Sequence, residues 1–339
     1  VTYRRWLSIF ALVLLATATL LALGAFHAIR IVRRPAYPES TGDAAIQLQD
    51  SAFTLQNTHC DVLIYGDSTA NVGIDPRLIA ATTGLSTCNI ATNRPDVEDL
   101  GTLPVDVFLQ HNPRPKLLVL QFGPEVFYRA KSPWEQNGPY TPLLLLCRNR
   151  PRAEALRAML QHPAEAVQFI LYIVQHEIVP NQPNRESVER QFHYAIEHAR
   201  ESNGQLDLNL PAQTSCRAPA LALQGPLDRD WPQQLHRKYE AQGIQVVVRA
   251  APIPDCDPQL ALFQRDLAPL VDGNVEPMPI HFFVAGDRHT ALEGSGPDTQ
   301  GLIRLIQSRH PLHEPLTAPD GSPRPFHRSS PGYAHAAAP

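Results

Sequence analysis

Two short apolar runs limit the fold more than any other feature of the chain. They are Val62 to Tyr65 and Lys116 to Phe122, with a second, less apolar strand expected between them at Thr87 to Ala91 and stretches of helical spacing separating the three. Runs apolar at consecutive rather than alternate positions are buried on both faces, as the strands of a parallel sheet are. The order strand, helix, strand, helix, strand predicts an α/β fold, doubly wound around a mostly parallel sheet. Asp75-Pro76 reads as an N-cap followed by proline at the first helical position, Arg77 to Thr83 as a short helix, and Gly84 as its left-handed stop. Arg94 to Gln110 carries an inner face of Val97, Leu100, Leu103 and Val107, which Pro104 should kink or divide.

The alternation stops at Gly123 and resumes near Gln242. Between them, Arg152 to Gln161, Ala164 to Glu177 and Arg185 to Glu201 have helical spacing, and Asn203 to Asp230 is irregular. The apolar run Val167 to Val174 is too short to cross a bilayer and is expected to pack on the core or close over a cleft. A helix at about Pro232 to Ala241, a fourth strand at Gly243 to Arg249, a fifth at Ile280 to Val284 and a last helix at Asp298 to Gln307 complete the sheet domain. The expected organisation is an anchor at 1–34, a linker at 35–58, an α/β domain at 59–310 with a helical insertion at about 124–242, and a disordered tail at 311–339.

The anchor rests on Trp6 to Phe26, which contains no charged residue. At 1.5 Å per residue this is a helix of about 31 Å, enough to cross a bilayer. A signal peptide has a shorter apolar region, and Ala22-Leu23-Gly24 only weakly resembles a cleavage site, so an uncleaved single span is expected. Arg4 and Arg5 flank one side and Arg30, Arg33 and Arg34 the other, so the positive-inside rule does not set the orientation. The early anchor, the cysteines and the Pro- and Ser-rich tail favour an inner-membrane protein with its large domain periplasmic or extracellular.

A net charge of −4 gives no basic field for nucleic acid, and none is expected as a partner. Five cysteines without a C-x-x-C pair argue against a zinc or thioredoxin-type site. Cys60 precedes the first strand and Cys88 lies in the second. Parallel neighbours at that spacing would allow a disulfide, with free buried thiols as the alternative. His176-Glu177 lacks the second histidine of a zinc-protease helix, Gly294-Ser-Gly296 lacks a third glycine, and neither a metal nor a cofactor is expected.

The residues with chemistry are far apart. Gly66-Asp67-Ser68 ends the first strand, and ligands of open α/β sheets sit beyond the carboxyl ends of the strands. Taken alone, the tripeptide reads equally as a turn with Ser68 as a helix cap. A serine hydroxyl becomes a nucleophile only when a base takes its proton, and His289, after the last expected strand, is placed to do so. Asp287, two residues earlier, could orient the imidazole. The bland alternative is an ordinary polar loop.

Gly66-Asp67-Ser68 after a strand, together with Asp287-x-His289 before the last helix, resembles the SGNH (GDSL-type) hydrolase superfamily. The blocks from Gly66 to Pro76, from Pro115 to Leu120 and from His289 to Gly294 are similar to its membrane-anchored branch, and the likeness spans Asp61 to Gln307 outside the insertion. The resemblance implies a flavodoxin-like SGNH fold. It also implies Ser68 as nucleophile, His289 as base and Asp287 as its partner, acting on acyl (acetyl-type) esters of an acylated glycan or small ester. It further implies a membrane-bound O-acyltransferase as a partner, in polysaccharide O-acetylation or teichoic acid D-alanylation. Gly66, Gly123, Asn93 and Asn71 are the candidates for the oxyanion and substrate.

The chain also departs from the pattern. The family has Asp three residues before the histidine, where Gly286 stands here. Its second-block glycine is missing from Ala91 to Arg94, and the third block reads Gly123-Pro124-Glu125 in place of a Gly-x-Asn donor. Pro124 has no N–H, and an ionised Glu125 only accepts. Two expectations therefore stand: a membrane-anchored serine esterase or O-acyltransferase, and a catalytically silent envelope protein that binds a glycan or scaffolds an assembly complex.

Overall fold

The computed structural model describes residues 3–33, 55–92, 97, 101–128, 140–178, 198, 201–207, 210–216, 223, 225–285 and 288–309. Of the linker expected at 35–58 only 55–58 are described; the tail expected at 311–339 and almost all of the helix expected at 185–201 lie outside the described residues. The chain forms two compact units, Val1–Ile46 with Ser132–Glu189, and Gln47–Lys131 with Arg190–Pro339.

The first unit is helical. Helix α1, Tyr3–Val32, is long and apolar enough to cross a membrane. Its carboxyl-terminal part buries Ala25, Ala28, Ile29, Ile31 and Val32 against three helices of the insertion. The second unit is mixed α/β. Strands β1 (Val62–Gly66), β2 (Thr87–Asn89), β3 (Leu117–Phe122) and β4 (Gln245–Ala250) form one parallel sheet in the order β2-β1-β3-β4.

Helices cover both faces of that sheet, and the strands sort their side chains between the faces with period two. Leu63, Tyr65, Leu118, Leu120, Phe122, Val246 and Val248 enter one core. On that side lie α4 (Leu103–His111), α8 (Trp231–Glu240) and α9 (Leu260–Leu267), which contribute Phe108, Leu235, Tyr239 and Phe263. Val62, Ile64, Leu117, Val119 and Val247 enter the other core, with Ala70 of α2 (Ser68–Gly73), Ile79 of α3 (Pro76–Thr83) and Leu302, Ile303 and Ile306 of α10 (Leu292–Arg309). Strand order reverses between β1 and β3, so the crevice of this sheet opens at the end of β1, where Ser68 follows.

Helix α3 forms as its caps dictate. The Asp75 carboxylate accepts from the Arg77 N–H at 2.9 Å, and Gly84 closes the helix at φ 70°. Of the two outcomes expected at Pro104, the structure shows division rather than a kink: Gly101 and Thr102 form a turn and α4 begins at Leu103, so the proline sits in the first helical turn, where its missing N–H costs no hydrogen bond. Other expectations need correction. Ile280 to Val284 is not a fifth strand of the main sheet. Pro277–Met278 (β6) pairs instead with Ile253–Pro254 (β5), and Ile280–Phe282 is a 3₁₀ turn. Prolines at 277 and 279 remove the N–H groups a longer strand would need. Strand β2 ends at Asn89 rather than Ala91, and α10 starts at Leu292, six residues before the expected Asp298.

Cys60 and Cys88 form a disulfide at a Cα–Cα separation of 5.8 Å. A second bridge, Cys216–Cys256, spans 40 positions, and Cys147 is free and buried. Loops of these lengths give each bridge about 3–4 kcal/mol of stabilisation through the unfolded chain.

Candidate active site

The strand-to-helix turn after β1 is set by Asp67 rather than by Ser68. Asp67 is the N-cap of α2: its Oδ1 accepts from the Thr69 N–H at 2.9 Å and from the Thr69 hydroxyl. Its Oδ2 accepts from the Gly123 N–H at 2.8 Å, tying the turn to the end of β3. Ser68 is thereby the first residue of the helix, not its cap. Gly66 completes the turn for a steric reason. A Cβ there would stand 1.7 Å from the Gln121 carbonyl oxygen, so β1 approaches β3 more closely than any side chain permits.

The partner of Ser68 comes from the far end of the domain. His289 Nε2 lies 2.6 Å from Ser68 Oγ, across 221 positions of sequence. The segment bearing His289 turns back on itself: Phe283 and Thr290 form an antiparallel bridge, and the Val284 N–H donates to the His289 carbonyl at 2.8 Å. Arg288 anchors it. The guanidinium is buried, donates to both oxygens of the fully buried Asp257 at 2.8 and 3.1 Å, and donates to Gln259 Oε1 at 2.7 Å. It also lies 5.3 Å over the Phe263 ring. Glu125 approaches the same guanidinium at 3.7 Å. Asp257 follows Cys256, so the second disulfide braces the loop to which Arg288 is clamped.

The remaining expected residues divide. Asp287 and Asn93 lie outside the described residues. Asn71 is buried one turn into α2 and donates one amide hydrogen to the Ala91 carbonyl at 2.9 Å, holding the end of β2. The Gly123 N–H is engaged by Asp67, and in the second block the Thr92 N–H donates to the Gly66 carbonyl at 3.0 Å. Two clusters were not read from the sequence. One is the Arg288–Asp257 clamp. The other lies beneath the site: Arg249 of β4, 2 % exposed, meets Asp298 of α10 at 2.5 Å, Gln121 of β3 at 2.7 Å and Glu276 at 2.9 Å. Asp298 faces Gly73 of α2, where a Cβ would stand 2.3 Å from its Oδ2, and Thr290 is beside it. The period-two alternation of β3 and β4 could have placed Gln121 and Arg249 on one face, but nothing local announces Asp298.

Burial pushes the Asp298 carboxyl up to about 6, with Arg249 and Gln121 pulling it only part of the way back. Its ordinary value is 3.8, so the folded state holds the proton more tightly than the unfolded chain. The resulting stabilisation is complete below about 3.8 and is lost as pH rises through about 6. A two-unit difference corresponds to about 3 kcal/mol. The unfolding free energy of wild type relative to Asp298→Asn should therefore fall by that order between pH 4 and pH 7. Urea titrations at several pH values measure it, and a pH-independent difference would contradict the assignment.

The fold and the site together define a mixed α/β protein with an amino-terminal apolar helix, a four-stranded parallel sheet, and a serine and a histidine in hydrogen-bond contact beyond the strand ends. Compared with family models, curated proteins and solved structures, the chain matches none.

Proposed function

We propose that this chain is a membrane-anchored serine esterase or O-acyltransferase of the SGNH type, acting on acetyl-type esters, with cell-envelope polysaccharide as its substrate class. The observation that carries the reading is the 2.6 Å contact between Ser68 Oγ and His289 Nε2. In this mechanism His289 takes the Ser68 proton as Oγ attacks the ester carbonyl carbon. Helix starts leave their first N–H groups without intrahelical acceptors, so the N–H of Ser68 is available to the developing oxyanion. The alcohol leaves with the proton held by His289, and the acyl group stays on Ser68. Water then returns the free acid, or a sugar hydroxyl takes the acyl group, with His289 again moving the proton. Asp287 is the expected orienting acid.

Helix α1 supports anchoring, and two disulfides suit an oxidising compartment outside the cytoplasm. A membrane-bound O-acyltransferase that delivers acyl groups to the same site is the partner this reading implies. Purified protein should turn over p-nitrophenyl acetate with saturation, and more slowly release acetate from an acetylated polysaccharide.

A second reading, a silent glycan-binding or scaffolding protein, is favoured by one feature. The Gly123 N–H is occupied by Asp67, and Glu125 stands where the third block would offer a donor. Folded protein without turnover of either ester would establish that reading over the first.

A further inference from the structure

The helical insertion leaves apolar side chains facing solvent. Its helices are α5 (Tyr140–Asn149), α6 (Arg152–Gln161) and α7 (Pro163–Ile178). In α6, Ala155 and Met159 are buried, while Leu156 and Leu160 are 41 % and 82 % exposed one turn apart on the adjacent face. In α7, Phe169 and Ile173 are buried, and Val167 and Leu171 repeat the pattern at 36 % and 61 % exposure. A soluble helix with its core face satisfied has no reason to carry a second apolar face.

Three observations identify what covers it. The first is continuity with α1. Gly24 lies against the Ile170 side chain, and the Arg152 guanidinium sits 5.6 Å over the ring of Phe26, the last residue of the uncharged run. The insertion therefore meets α1 where about 31 Å of uncharged helix ends, at the edge of a hydrocarbon layer. The second is charge. The segments 24–33 and 140–178 hold six arginines against three glutamates. Arg152 and Arg157 are exposed beside the leucines, with stems long enough to keep their charges in the headgroup layer. The third is rigidity. Arg33 Nε donates to the Cys147 carbonyl at 2.7 Å, and Arg148 donates to the Val32 carbonyl at 2.6 Å, so the end of α1 and the insertion are locked together.

We propose that α6 and α7 form a collar around the emerging end of α1 that lies on the bilayer surface, with leucines dipped among the acyl chains and arginines among anionic headgroups. This rests on the reading of α1 as a membrane span. It gives Val167 to Val174 a role other than closing a cleft: one side of α7 packs on α1, and the other meets lipid.

The test uses full-length protein in phosphatidylglycerol-containing vesicles. Single bimane labels are placed at Leu160→Cys, Leu171→Cys, Leu14→Cys and Lys116→Cys, in a Cys147→Ala background. The labels at 160 and 171 should be quenched by lipids with a nitroxide near the headgroup and be several-fold less accessible to iodide than the label at 116. The label at 14 should respond to a nitroxide deep in the acyl chains. Iodide access at 160 and 171 equal to that at 116, with 14 still buried in lipid, would overturn the collar alone. A label at 14 outside the bilayer would overturn the span and the collar together. Protection in native membranes but not in pure lipid would point to a protein neighbour and overturn the lipid assignment. In unmodified protein, a headgroup-diazirine phospholipid should crosslink within residues 152–174, and crosslinks confined to α1 would count against the proposal.

Discussion

Replacing Ser68 by alanine should lower turnover of p-nitrophenyl acetate by about 10³-fold or more, since on the proposed mechanism the hydroxyl in contact with His289 carries the acyl group. The fold should not register the change. Ser68 is only half-buried, and the turn that presents it is held by Asp67 through Thr69 and Gly123. The unfolding midpoint of Ser68→Ala should therefore match wild type, separating loss of chemistry from loss of structure. His289→Gln should fall nearly as far, because the two side chains act as one unit and removing either disables both. Undiminished turnover in Ser68→Ala would assign the esterase activity to another residue.

The second large effect is expected at Asp257. Its substitution by alanine takes from the Arg288 guanidinium, which is 5 % exposed, the carboxylate that accepts two of its hydrogen bonds, and the neighbouring Gln259 amide does not replace that charge. Removing one partner of a buried ion pair costs about 3–5 kcal/mol, mostly from the charge left behind. Since Arg288 precedes His289, the same variant should lose turnover at temperatures where it remains folded. A double replacement, Asp257→Leu with Arg288→Met, distinguishes the two roles. It removes both charges and should recover much of the stability. It should not recover turnover if the clamp positions the imidazole. A loss under about 1 kcal/mol in Asp257→Ala, within the range of an exposed pair, would show that the clamp holds nothing.

The legible parts of this chain were those with local causes. Asp75, Pro76 and Gly84 each do one thing to the backbone within one turn of helix, and α3 follows from them. The apolar runs of β1, β3 and β4 state their burial on consecutive positions. Where two local signals competed, the reading went astray. Phe283 and Val284 looked like strand residues, while the prolines before them allowed only isolated bridges. Contacts with no local cause stayed hidden. Arg249 and Asp298 meet across 49 positions, and Cys216, in a stretch that reads as irregular, finds Cys256 40 positions later. Phe169 and Ile173 were visible as an apolar stripe, but their partner on α1 lies more than a hundred residues earlier. Ser68 and His289 are as distant, and their pairing was anticipated through a family resemblance rather than from spacing.

The central claim, that His289 activates Ser68 as a nucleophile, is tested most directly by a fluorophosphonate that bonds only to activated serines. Intact mass and peptide mapping should find one adduct on the peptide containing Ser68 in wild type, none in Ser68→Ala, and greatly slowed labelling in His289→Gln. Folded wild-type protein that stays unlabelled, or a label on Ser68 that forms equally fast without His289, would contradict the account.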